Sequence, residues 1–323
     1  MPSSLVSIIL PIHNRFPLVD KCIFSVITQT YRPLELIIID DKSDIPYIPK
    51  YSSENGFSIK TIYNPTNIGP GGSRETGRLL ASGEFILYLD SDDLLLPEML
   101  EKLEQSLMLD PEAGMTYCKT LEFTELPITG SENLRRRNDK SFDTFLPTIF
   151  EGRPWSTSSC LWTRKATDLI GPWFSGWTWE DYEYDVRAGC AGLKIIHCPD
   201  ILCYKRNHFE DQLSNITGQK AIEQKSLSIF EISKNLLNSN YFNNRDVSKI
   251  FVEKILKPNF IKLISIQNYR LAKENFNYLF LFNDSKNDKV LQNSLIEFLL
   301  LFIRNRMFLR VVKRTIYELI KSY

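Results

Sequence analysis

The sequence predicts an α/β fold built on a parallel sheet whose strand ends share one edge. Three apolar runs predict it: Val6-Ser7-Ile8-Ile9-Leu10, Leu34-Glu35-Leu36-Ile37-Ile38-Ile39 and Phe85-Ile86-Leu87-Tyr88-Leu89. Short apolar runs bounded by turn residues read as buried strands. Each run ends in polar, mostly acidic residues, and helical segments alternate with the runs. That alternation is the signature of βαβ units, whose crossovers bring all strand ends to one side. Ligands of open α/β sheets bind outside the carboxyl ends of the strands. The polar groups are therefore expected to converge along one crevice.

Taken in order, the first strand ends at Pro11-Ile12-His13-Asn14-Arg15, a turn into a helix that runs to about Gln29. The second ends in Asp40-Asp41-Lys42-Ser43. A loop rich in Asn, Pro and Gly follows over Asn64–Gly72, then a helix over about Ser73–Ala81. Gly69-Pro70-Gly71-Gly72 superficially suggests a phosphate cradle, but it is neither GxGxxG nor GxxxxGK, so dinucleotide and P-loop readings fail on spacing. The third strand ends in Asp90-Ser91-Asp92-Asp93. Three acids this close repel one another unless a cation or buried donors stabilise them. Hard oxygen ligands suit Mg²⁺ or Mn²⁺, and Mg²⁺ is commonly held by one or two carboxylates plus substrate phosphates. The stretch reads as a metal–diphosphate site. The competing reading is an acidic helix N-cap, since Leu94-Leu95-Leu96-Pro97-Glu98 follows.

Beyond residue 115 the pattern gives a strand over Met115–Lys119 and a charge run, Arg135-Arg136-Arg137-Asn138-Asp139-Lys140. The run is expected to be a mobile, solvated loop, with acceptor or phosphate contact as the alternative. Ser156–Trp162 reads as a strand and Ile170–Phe174 as a turn. Trp177-Thr178-Trp179-Glu180-Asp181 precedes a helix through about Gly189, and Lys194–Cys198 is another strand.

The order and spacing of these motifs resemble a family 2 glycosyltransferase with the GT-A fold. The matching residues are Val6–Pro11 with His13-Asn14, Ser25–Tyr31, Ile39–Ser43, Asn67–Arg74, and Gly83-Glu84-Phe85 leading into Asp90–Asp93. Trp179-Glu180-Asp181 and the segment around His208 complete the set, so the resemblance covers roughly residues 4 to 215. It implies a Rossmann-like nucleotide-sugar half over residues 1–115 and an acceptor half over 116–215. A helical, basic C-terminal region over 216–323 follows.

The resemblance also implies roles. Pro11, His13, Asp40, Asp41 and Arg74 correspond to nucleotide-binding positions, and Asp90 faces the ribose. Tyr often stands in the family where this chain has His13. Asp92 corresponds to the second Asp of the Asp-x-Asp motif and binds the metal, Mn²⁺ or Mg²⁺, while His208 completes the metal or diphosphate site. Asp93 is the weaker ligand candidate, with helix capping as its alternative. Asp181 corresponds to the general base, and Trp179 and Glu180 to acceptor-binding positions. The bland alternatives are a surface ion pair of Arg74 with Glu75 or Asp41, a structural His208, and an acidic first helix turn for Glu180 and Asp181. All five tryptophans, Trp155, Trp162, Trp173, Trp177 and Trp179, fall within 25 residues. Aromatic faces suit the C–H faces of sugars, so one or two are expected to line the acceptor site and the others to pack. The implied activity is inverting, metal-dependent transfer from a nucleoside-diphosphate sugar, a UDP sugar being the common donor, to a glycan or lipid-linked acceptor. Surface polysaccharide synthesis is the expected setting.

Composition is consistent with a globular protein: 43% hydrophobic and 12% aromatic residues over 323 positions. Net charge is zero, but residues 216–323 hold 18 Lys and Arg against 9 Asp and Glu. The front two-thirds is therefore acidic, and no nucleic-acid partner is expected. The last helix is expected over about Leu291–Lys321. It carries Arg304, Arg306, Arg310, Lys313 and Arg314 beside Phe302, Ile303, Met307, Phe308 and Leu309. Such a basic amphipathic helix suits peripheral contact with an anionic membrane, and a packed helix with a basic solvent face is the alternative. No apolar run reaches the ~20 residues of a spanning helix. No signal peptide is expected, since Met1-Pro2-Ser3-Ser4 lacks a basic region. The six cysteines form no CxxC pair and read as reduced thiols of a cytoplasmic protein.

Two readings compete with transfer. A non-catalytic nucleotide-sugar-binding or scaffolding subunit would be favoured by loss of Asp92 or Asp181, and both are present. A nucleotidyltransferase would be expected to show a Gly-rich, basic phosphate loop near the N-terminus, which Pro11-Ile12-His13-Asn14 does not supply.

Overall fold

The first strand, β1 (Val6–Ile12), lies between β2 (Leu34–Asp40) and β4 (Phe85–Tyr88), with β3 (Phe57–Tyr63) outside β2, and all four run parallel. The structure is a computed structural model and describes residues 3–16, 18–54, 56–124, 133–135, 137–207 and 218–283. Ile12 stands opposite Asp40 and Ile9 opposite Tyr88, so the turns after β1, β2 and β4 open on one edge. Every residue of β2 is buried, as a parallel strand covered on both faces requires. β3, by contrast, alternates between buried and open positions and carries Ser58, Lys60 and Thr61. That weak apolar content hides it from a reading based on continuous runs.

Helices cover this sheet. α1 (Leu18–Ile27) turns Val19, Cys22, Ile23 and Val26 inward, the spacing of one helical face. They pack with Ile8, Leu10, Leu36 and Ile38 in the core. α2 (Gly69–Leu80) begins several residues earlier than the sequence predicts, because Pro70 is tolerated in a first turn, where its missing N–H has no intrahelical partner.

The second half makes the sheet mixed. β5 (Leu94–Leu95) precedes α3 (Met99–Met108). β6 (Ala113–Phe123) carries the short β7 (Asn133–Leu134) on one edge. β8 (Cys160–Thr163) pairs antiparallel with both β4 and β6, and β9 (Lys194–Arg206) pairs parallel with β6 and antiparallel with β5. The strand order is β3-β2-β1-β4-β8-β6-β9-β5. Both β6 and β9 are longer than their apolar cores indicate. The expected strand Ser156–Trp162 is split: Ser156 and Ser159 cap each other across a 3₁₀ turn, and the strand starts at Cys160.

The described part of the charge run is only partly solvated: Asp139 and Lys140 are exposed, but Arg135, Arg137 and Asn138 are anchored. Asn138 is fully buried, accepts from Thr120 N and donates to Cys118 O and Pro154 O. Arg137 donates to Thr148 O and Gly152 O, and Arg135 pairs with Glu122. These donors tie the segment to β6 and to the turn that leads into β8.

Two units divide the chain, Met1–Ile216 and Thr217–Tyr323. The first also holds α4 (Arg164–Ile170) and α5 (Glu180–Cys190). The described part of the second is helical: α6 (Gln219–Leu237), α7 (Arg245–Phe251), a π-helical turn, α8 (Lys257–Ser265) and α9 (Tyr269–Asn283). Its core contains Phe230, Phe251, Phe260 and Phe282 around a buried Ser226–Asn259–Asn275 chain that ends on Leu256 O. The expected helix over Leu291–Lys321 lies outside the described residues. Among the described residues no helix is long and apolar enough to cross a membrane. All six cysteines are free thiols.

Candidate active site

On the donor side, the turn after β2 is built by its own acids. Asp40 is buried and accepts from Ser43 N at 2.8 Å and Tyr47 N at 2.8 Å. One such bond to each oxygen shapes the loop after β2. Asp41 accepts at one oxygen from Asn64 Nδ2 (2.8 Å) and Ile68 N (3.0 Å), and at the other from Gly69 N (2.8 Å). Asp41 is therefore the cap of α2, which has none of its own, and its charge sits favourably at the helix N-terminus. A carboxylate has about four lone-pair sites, so one remains for a ring N–H. His13 is exposed, with Nδ1 2.9 Å from Asp41 O and Nε2 3.2 Å from Asn67 Nδ2. A carbonyl only accepts, so Nδ1 carries the proton and Nε2 accepts. Pro11 is partly exposed at the end of β1. Asn14 and Lys42 both adopt left-handed φ, and Asn14 holds the loops after β1 and β2 together through bonds with Ser43 and Asp44.

The glycine run serves close packing. A Cβ on Gly71 would lie 2.0 Å from Phe174 O, and one on Gly69 would lie 3.4 Å from the Trp177 ring. The first turn of α2 thereby touches the loop before α5. Gly71→Ala must displace backbone, and overpacking of this kind costs about 1–3 kcal/mol. The expected result is a Tm lower by several degrees in thermal unfolding.

At the centre, the Asp90–Asp93 turn divides its acids. Asp93 is buried, accepts from Ser158 Oγ at 2.7 Å and Arg206 N at 3.0 Å, and is followed by β5. It caps no helix. Burial, with Asp92 and Asp90 adding repulsion, pushes its carboxyl well above the usual range. Asp90 accepts from Arg74 at 2.8 Å, and Arg74 donates to Glu180 at 2.7 Å. Arg74 is buried and stacks over Trp173, so it is neither a surface ion pair nor exposed to a base. Asp92 is partly exposed. Among the described residues no group of three or more His, Cys, Asp or Glu converges on one point. One carboxylate nevertheless fits the ordinary way of holding Mg²⁺, in which substrate phosphates and water complete the shell. His208 lies outside the described residues.

On the acceptor side, Trp179 takes a left-handed φ of 63° and stacks on Tyr182, starting α5 abruptly. The next two residues are Glu180 and Asp181. Burial raises the Glu180 carboxyl although Arg74 pulls it down. Burial would also raise Asp181, but Arg153 and then Arg74 outweigh it and hold this carboxyl below its ordinary value. Arg153, which motif reading does not single out, donates to Asp181 at 2.9 Å and Asp185 at 2.6 Å. A signal for it exists: Asp181 and Asp185 stand i,i+4 on one helix face and repel unless a cation lies between them. Trp155, Trp162 and Trp173 are buried, Trp179 is partly exposed and Trp177 is exposed.

Residues 7–149 match the family described as Glycosyl transferase family 2. An uncharacterised glycosyltransferase of Haemophilus influenzae is 29% identical over 186 residues, 57% of this chain and 71% of that one. The Escherichia coli UDP-Glc:alpha-D-GlcNAc-diphosphoundecaprenol beta-1,3-glucosyltransferase WfgD is 37% identical over 117 residues, 36% of this chain and 46% of its own length. The crystal structure of Staphylococcus aureus TarS 1-349 in complex with UDP-GlcNAc superposes with a TM-score of 0.66 at 16% identity, covering 87% of this chain and 82% of that one. Residues 7–149 are thus a family 2 glycosyltransferase region, and the chain has the GT-A fold.

Proposed function

We propose that the chain moves a sugar with inversion from a UDP sugar to a hydroxyl of a lipid-linked glycan, with Asp181 as the general base. The observation that carries this reading is the Asp90–Arg74–Glu180 bridge, which fixes the start of α5, and so Asp181, beside the Asp90–Asp93 turn. In a single displacement, an acceptor oxygen bonds to the anomeric carbon as the bond to the diphosphate breaks. The acceptor proton passes to Asp181, which is ionised at neutral pH because Arg153 stabilises its charge. Asp41 and His13 flank the nucleotide position, Glu180, held by Arg74, orients the acceptor, and Trp179 and Trp177 offer ring faces to sugar. Asp92 would hold Mn²⁺ or Mg²⁺, with His208 as the second protein ligand. When bound, the cation offsets the charge of the leaving diphosphate.

The UDP donor is supported by the UDP-Glc in the WfgD name and by the UDP-GlcNAc complex of TarS. The lipid-linked acceptor is supported by the diphosphoundecaprenol in the WfgD name. For such an acceptor the setting proposed is cytoplasmic, at the inner face of the membrane, with the basic C-terminal sequence around Arg304–Arg314 as the contacting segment. The test is release of nucleoside diphosphate from a panel of nucleotide sugars with Mn²⁺ or with EDTA. One donor is expected to turn over with Mn²⁺, and Asp92→Ala to slow it about 10²-fold or more. No turnover of any donor, with no thermal shift from any nucleotide, would favour the scaffolding reading.

A further inference from the structure

Asp181 is one end of a buried chain of charges. Its Oδ2 accepts from Arg153 Nη1 at 2.9 Å and from Thr157 Oγ1 at 3.2 Å, and its Oδ1 accepts from Tyr182 N at 2.9 Å. Behind it, Asp185 accepts from Arg153 Nε at 2.6 Å and from Trp155 Nε1 at 2.7 Å. The side chains of Arg153 and Asp185 are 4% and 2% exposed, whereas Asp181 is 24% exposed. Only the terminal member of the chain reaches outward.

We infer that Arg153, itself fixed by Asp185 and Trp155, is a positioning residue that fills Oδ2 of Asp181 and leaves Oδ1 to take the acceptor proton. The inference rests on Asp181 being the base. It follows from lone-pair counting: of about four acceptor sites on a carboxylate, two on Oδ2 and one on Oδ1 are occupied. The guanidinium suits the task because its planar fork contacts both carboxylates at once in a fixed geometry. Arg153 touches no reacting atom and acts through Asp181.

The charged surroundings make a pH readout available. Arg153, Arg74 and Arg135 face Asp181 as cations, Glu180 and Asp185 as acids, and Tyr182 lies beside it. Arg153 is the leading cation among them, and without it burial is opposed only by Arg74, the Tyr182 N–H and Arg135.

The experiment compares wild type with Arg153→Gln, Arg153→Lys and Thr157→Val. UDP release from UDP-glucose and UDP-N-acetylglucosamine is followed against pH. The Asp181 carboxyl is titrated by carbon NMR without donor, its signal assigned by Asp181→Asn. Arg153→Gln is expected to raise both the Asp181 midpoint and the acid limb of the rate by about one unit or more. The same variant is expected to lower kcat about 10²-fold through misplacement of the base, with donor KM nearly unchanged. Arg153→Lys keeps the charge but not the fork, so it is expected to restore the midpoint more fully than the rate. If Arg153→Gln does not fold, Thr157→Val decides, with a smaller rise in midpoint and a fall in kcat at unchanged Tm. An unmoved midpoint and acid limb in the folded variants overturn the inference. A midpoint that moves while turnover does not removes Asp181 from the chemistry and overturns its premise.

Discussion

Asp181→Asn is expected to lower kcat by about 10³-fold, within the range of a lost general base, while nucleotide affinity holds. The substitution keeps the shape of the side chain and the start of α5, but the amide cannot take a proton from an acceptor hydroxyl. Stopped assays of nucleoside diphosphate release, with nucleotide binding measured by calorimetry, separate the two effects. The pH dependence has a definite sign. A carboxylate base works ionised, and Arg153 and Arg74 hold Asp181 below its ordinary value against the effect of burial. The rate is therefore expected to stay flat as pH falls from neutrality through the usual carboxylate range, about 4, and to drop only below it. The same depressed value makes Asp181 a stabilising group above its unfolded pKa. That contribution is lost as pH falls through the lower folded value.

Arg74→Met is the second large effect. Arg74 is 5% exposed, bonds to Asp90 and Glu180, and lies with its guanidinium 4.9 Å from the Trp173 ring. Methionine keeps the apolar contact and removes the cation, leaving two carboxylates facing each other without compensation. Breaking a buried ion pair from one side costs about 3–5 kcal/mol, which for a domain of this size lowers Tm by roughly 10 °C. Glu180 is already raised by burial, and Arg74 is the first group opposing that. In the variant its folded value climbs further above the unfolded one. The stability deficit is then expected to shrink as pH falls and Glu180 takes up a proton, and to widen as pH rises. Unfolding by urea at pH 5 and pH 8 reads this directly. Turnover is expected to fall as well, since the start of α5 loses its tie to the Asp90 turn.

What could be read from the sequence divides along physical lines. β1, β2 and β4 are continuous apolar runs because parallel strands bury both faces, so their ends, and the acids on them, were legible. β3 was not, since an edge strand with Ser58, Lys60 and Thr61 has no such run. The acids themselves were found, but not their partners. Nothing local to Asp41 says that it caps a helix starting at Gly69, and nothing near Asp93 says that Ser158 and Arg206 hold it inside. Arg74 reads from sequence as a nucleotide contact, with a surface ion pair as the alternative, because its actual partners Asp90 and Glu180 are distant in sequence. Arg153 was missed for the same reason, although the i,i+4 acids of α5 required a cation. In the Arg135–Lys140 run charge alone does not report exposure: Asp139 and Lys140 are open, whereas Asn138 and Arg137 satisfy backbone carbonyls in the packed segment beside β6.

The most direct test of the central claim is the anomeric configuration of the first-formed product. Proton NMR can follow donor turnover in real time, in wild type and in Asp181→Asn. One displacement with Asp181 as base predicts a product inverted relative to the donor, appearing in wild type and nearly absent in the variant. A product that keeps the donor's configuration, or one that forms equally fast without the Asp181 carboxylate, would contradict the account.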